Sequence, residues 1–149
     1  MFLARSSLLA VGILAASLAS ASAFAQAAGE IVGARQGVMR SFNAQMGIIN
    51  AVGRGEITNA KLAEPLAAAI NSVAKQLPAL FPTGSGTEAG VRTRAKAEIW
   101  SKRADFVAAA AKLDEETTKL IAAVATGNAQ AIAAAATSVT NNVCNAGHT

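Results

Sequence analysis

Apolar residues recur at intervals of three and four along most of the chain and nowhere alternate with period two, the pattern of helices packed along one face rather than of strands. The clearest stripe joins Ile99, Phe106, Leu113 and Leu120, with Ala110, Thr117 and Val124 between them. Val38, Phe42, Ile49 and Val52 repeat it upstream, and Ile132, Ala136, Val139 and Val143 repeat it downstream. Turn residues divide this pattern into four predicted helices. The first runs from about Gly29 to Val52 and stops at Gly53-Arg54-Gly55, where flexible glycines end a helix. The second starts near Thr58 or Asn59, both good N-caps, and runs to Leu77 before Pro78. Pro65 falls inside it, so this helix either kinks there or begins later. A long connection from Pro78 to Lys96 carries Pro82, Gly84, Ser85, Gly86 and Gly90. The third helix covers about Lys96 to Thr126, and the fourth extends from Ala129 to the C-terminus. Short links at both ends and one long crossing loop predict an all-α fold, an antiparallel four-helix bundle. Alanine-rich helices approach closely but fill a bundle thinly, which leaves room for a guest.

Composition refines this in two ways. The chain is 52% hydrophobic and 15% charged over 149 residues, which suits a single folded domain and not a disordered segment. Part of the apolar excess reads as an export signal: Arg5, the run from Leu8 to Ala15, and Ala23-Phe24-Ala25 form a charged start, an apolar centre and a small-x-small cleavage site. Residues 1–25 are therefore expected to be a cleaved signal peptide and residues 26–149 the folded domain. Without Arg5 the balance is 12 basic against 9 acidic residues, and no basic cluster is interleaved with aromatics, so nucleic acid is not an expected partner. No second long apolar segment follows, so no membrane insertion is expected after cleavage and the expected location is the periplasm.

One cysteine and one histidine rule out an internal disulfide and any single-chain metal site that needs three or four such ligands. There is no Ser-His-acid set and no phosphate-binding glycine loop, and Glu115-Glu116 reads as a solvated helix face, so enzyme chemistry is not expected. Cys144 and His148 lie four apart on the last predicted helix, so both side chains leave the same face. That spacing suits a haem tether, in which a thiol adds to a vinyl group and a histidine binds the iron. Relative to C-x-x-C-H, Gly147 replaces the second cysteine. The string by itself also fits a terminal turn with a buried cysteine and a solvated histidine.

Other stretches resemble the cytochrome c-prime family, the c-type cytochromes built as four-helix bundles. They are Arg35-Gln36-Gly37-Val38-Met39, the turn Gly53-Arg54-Gly55-Glu56, Leu77-Pro78-Ala79-Leu80-Phe81-Pro82, Ala97-Glu98-Ile99-Trp100-Ser101, and Phe106. The resemblance implies haem c attached at the C-terminal helix, through Cys144 alone because of Gly147, with His148 as proximal ligand. It places Met39 at the distal position of the methionine-ligated, low-spin branch and Arg35 where a guanidinium meets a haem propionate. Phe42, Phe81, Trp100 and Phe106 would then back the cavity, though a plain core would use them too. The implied role is single-electron transfer with a redox partner protein, and family members pair as homodimers through their first two helices. A five-coordinate gas-binding cytochrome and a haem-free binding bundle are the alternatives. The chain departs from the family in lacking the second thiol and in ending at Thr149, one residue past the histidine.

Overall fold

A computed structural model of the protein describes residues 7–141, with side chains from residue 26 onward. Five helices follow one another: α1 Ser7–Gly53, α2 Ala63–Gln76, α3 Glu98–Ser101, α4 Arg103–Ala125 and α5 Ala129–Val139. The four long ones form the bundle, and no strand occurs among the described residues. None of the helices searched is long and apolar enough to cross a membrane.

Helix boundaries differ from the sequence expectation in three places. α1 is continuous from Ser7, so Gly29 is not a helix start. A 3₁₀ turn over Ala60–Leu62 precedes α2, which puts Pro65 in the first turn, where its missing N–H would have had no helical partner, and the helix is not kinked there. The third predicted helix is split at Lys102, whose φ of −116° and ψ of 50° are not helical. Contacts on both sides of this residue explain the break. Trp100 Nε1 donates to the Pro82 carbonyl at 2.9 Å, while Arg103 donates to the carbonyls of Pro78 at 2.6 Å and Phe81 at 3.2 Å.

Sequence punctuation is obeyed at the α4–α5 corner. Gly127 takes a φ of 65°, a left-handed conformation that glycine adopts without steric cost. Asn128 then caps α5 by accepting the Ala131 N–H at 3.0 Å.

The helices run antiparallel to their neighbours, and close contacts fix their registers. Gly53, ending α1, packs on Ala133 near the start of α5; a Cβ at Gly53 would lie 2.9 Å from the Ala133 Cα. Further along, Glu116 of α4 accepts from Ser138 of α5 at 2.6 Å. Between α2 and α4, Asn71 Nδ2 donates to Asp114 Oδ1 at 2.7 Å and to Thr117 Oγ1 at 2.9 Å. The predicted stripes become the core: Phe42, Ile49, Val52, Leu113, Leu120, Val124, Ile132, Ala136 and Val139 are buried in one cluster with Ala67 and Ile70 of α2. Val143 lies outside the described residues.

Candidate functional site

The stripes are interrupted near one end of the bundle. Along α1, burial recurs at Phe42, Met46, Ile49 and Val52 and resumes at Arg35 and Val32, yet Val38 and Met39 between them are only half-buried. Along α4, Ala110 and Leu113 are buried but Phe106 is half-buried and Val107 is 44% exposed. Leu77, just past α2, is half-buried as well. These residues share one end because α1 and α4 run away from it and α2 and α5 run toward it. Val38, Met39 and Phe106 are thus half-buried apolar positions toward that end, and Leu77 packs against the main core.

Arg35 stands one helical turn before Met39 on α1. It is 4% exposed, so its guanidinium is buried in the protein. Its Nη1 donates to Ser85 Oγ at 3.0 Å and to the Leu80 carbonyl at 3.4 Å. Its Nη2 donates to the Ser85 carbonyl and to Thr93 Oγ1, both at 3.0 Å. The guanidinium also lies 4.4 Å from the centroid of the Phe81 ring, a favourable cation–π arrangement. Every one of these partners is neutral. Burial lowers the Arg35 pKa from its ordinary value, and no acid raises it in compensation. Among the described residues, the ion pairs are Arg54 with Glu56 and Lys119 with Glu116, and Arg35 is in neither.

The crossing loop is held in place by two arginines. Arg35 grips it from α1, and Arg103, through the Pro78 and Phe81 carbonyls, grips it from α4. Phe81 packs edge-on against Phe106 at 5.0 Å and against Trp100 at 6.3 Å, so three of the four aromatic residues expected near the site do form one cluster. Phe42 instead belongs to the main core. Ser85, Thr93 and Arg103 were not among the predicted site residues. Their partners are some 20 to 60 residues away in sequence, and no local pattern marks such pairings.

The acidic pair also needs correction. Glu115 is exposed, but Glu116 is 6% exposed and bridges Lys119 at 2.7 Å and Ser138 at 2.6 Å. Those hydrogen bonds, the one from Lys119 foremost, hold its carboxyl below its ordinary pKa. Its role is to join α4 to α5.

Cys144, Gly147 and His148 lie outside the described residues. Among the residues that are described, no group of three or more His, Cys, Asp and Glu could hold a metal ion. The donor set that is described nevertheless suits a planar guest bearing carboxylates. It has a buried cation with no anionic partner among these residues and, one turn along the same helix, a potential thioether ligand, Met39.

Comparison with known proteins agrees with this arrangement. The chain is 34% identical over 104 residues to cytochrome c-556 of Agrobacterium fabrum, an alignment spanning 69% of this chain and 68% of that protein. Cytochrome c′ of Thermochromatium tepidum superposes with a TM-score of 0.73 at 31% identity, covering 81% of this chain and 92% of the other. A second solved cytochrome c′, described as having a ligand-controlled dimer dissociation, gives a TM-score of 0.72 at 28% identity over 81% and 92% of the two chains. Residues 30–149 match the cytochrome C′ family, and the chain therefore belongs to that family of monohaem c-type cytochromes.

Proposed function

We propose that the protein is an exported, periplasmic carrier of single electrons. In this reading one haem c sits at the Met39 end of the bundle, attached by a single thioether to Cys144, with His148 and Met39 as axial ligands and Arg35 beside a propionate. The observation that carries the reading is the Arg35 guanidinium, buried at 4% exposure among neutral acceptors. Leaving such a charge uncompensated is costly, and a carboxylate-bearing guest offsets that cost.

The ligand assignment has support from α1, where Arg35 and Met39 stand four residues apart on one helix face. Haem, when bound, supplies the one-electron iron couple, and ligation by His and Met favours a raised potential with both axial sites filled. The chain's own residues do the rest: Val38, Leu77 and Phe106 keep water from the apolar faces, Arg35 meets the acidic edge, and the loop staple from Arg103 keeps Phe81 in place. A homodimer is consistent with the cytochrome c′ whose dimer dissociation is ligand-controlled.

The test is expression with a periplasmic haem-maturation system. The purified protein should keep its colour after acid-acetone extraction, and its pyridine haemochrome should show one saturated vinyl group; a colourless polypeptide of the mature mass refutes the proposal. A low-spin spectrum with a near-infrared sulfur-to-iron band, abolished in Met39→Ala, is expected. A high-spin spectrum with tight nitric oxide binding would replace the electron carrier by a gas-binding cytochrome.

A further inference from the structure

Positive charge is gathered in one short stretch. Residues 91–103 hold Arg92, Arg94, Lys96, Lys102 and Arg103 against Glu98, a balance of +4 that equals the formal net charge of the whole chain. Outside it, residues 26–149 hold seven basic and eight acidic residues. Within this stretch, residues 92–96 form an irregular strap in which exposure alternates: Arg92, Arg94 and Lys96 are exposed, Thr93 and Ala95 half-buried. The outer side of the strap therefore carries a cation at every second residue.

The inner side is fastened to α1 beside the candidate site. Thr93 Oγ1 accepts from Arg35 at 3.0 Å and from the Ala95 N–H at 3.1 Å. Gln36 Nε2 donates to the Arg92 carbonyl at 2.9 Å. A Cβ at Gly29 would come within 3.3 Å of Val91 Cγ1, so the strap begins close against the α1 backbone. Neither Arg92, Arg94 nor Lys102 takes part in an ion pair with a described residue. The cations are thus held at fixed spacing, and one fastening point is the residue assigned to the haem propionate.

We propose that this strap is the docking surface for an acidic redox partner protein, brought to the Met39 end of the bundle by Arg92, Arg94 and Lys96. The inference rests on the electron-carrier reading. Electron-transfer encounters are small and brief, and complementary charge governs them chiefly through the association rate. A row pinned beside the cofactor both attracts the partner and fixes which edge it meets. A membrane surface is a poorer match, since Val91 is the one exposed large apolar residue that residues 91–103 contribute within their non-helical part.

The test uses the full haem-loaded protein, reduced, with ferricyanide as the anionic probe; each ferricyanide takes one electron and becomes ferrocyanide. At about 10 mM ionic strength, where screening is weak, Arg92→Gln/Arg94→Gln should react about fivefold more slowly than the unchanged protein, and the difference should vanish at high salt. Lys61→Gln/Lys112→Gln, which removes the same charge elsewhere, should lower the rate less than about twofold. Equal losses in the two double variants would reduce the effect to net charge and overturn the proposal. A decaglutamate titration followed by amide NMR gives a readout that needs no electron transfer. Shifts confined to the strap and its neighbours on α1 support the surface, shifts scattered over the molecule overturn it, and binding to anionic lipid vesicles in preference to decaglutamate overturns it too. A preparation without haem defeats the electron-carrier reading, and the titration then judges the strap by itself.

Discussion

Where α1 turns back toward α2, Ile49, Ile70, Leu120, Val124 and Ile132 are sealed from solvent, whereas Val38, Met39, Leu77 and Phe106, continuing the same stripes to the other end, stay half-buried. One repeat thus produces sealed positions in one part of the bundle and, among the described residues, half-buried ones in the other. The difference arises from what lies between the helices. At the closed end, backbones approach until Gly53 touches Ala133, and side chains alone fill the space. Toward the other end the crossing loop stands against α1 and α4, held off by two arginines that bind its carbonyls. Stability is concentrated where packing is complete, and the binding capacity lies where it is not.

The largest effect that would test this contrast comes from emptying the closed end. Leu120→Ala, at a fully buried position, should cost about 3 kcal/mol, read from urea unfolding of the protein with and without haem. Next is Gly53→Ala, whose Cβ would lie 2.9 Å from the Ala133 backbone. Forcing α1 from α5 should cost about 1–3 kcal/mol, and a variant as stable as the parent would show that the register is not fixed by this contact.

Met39→Ala should behave oppositely toward the other end: a loss of only about 1 kcal/mol without haem, with a marked change in the visible spectrum when haem is bound. If it destabilised the haem-free protein as much as Leu120→Ala, the two ends would not differ as described. A smaller effect is expected from Glu116. Its carboxyl titrates below its ordinary value because Lys119 and Ser138 donate to it, so its contribution is complete above the unfolded value and lost as pH falls through the lower folded one. Glu116→Gln should accordingly flatten the fall in stability below about pH 4.5, measured by unfolding across a pH series. Glu56→Gln, which breaks an exposed pair with Arg54, should leave the midpoint unchanged.

Much of this was legible beforehand because it depends on local chemistry. Periodicity marked the buried face of each long helix, Gly127 and Asn128 marked the α4–α5 corner, and the spacing of Arg35 and Met39 put both on one face of α1. Other features were hidden for an equally physical reason. The break at Lys102 results from Trp100 and Arg103 reaching back about twenty residues to the crossing loop. The burial of Glu116 depends on Ser138 standing opposite.

The sequence by itself determined which segments are helical, which faces turn inward, and that one Cys and one His stand four apart near the C-terminus, since each follows from neighbours a turn or less away. The tertiary structure alone decided that Arg35 is buried without an acid among the described residues, that the stripe of α1 is interrupted at Val38 and Met39, and that the basic strap is fastened beside them. Each of those needs segments some 50 residues apart to meet, and such a meeting is fixed by the packing of the whole chain.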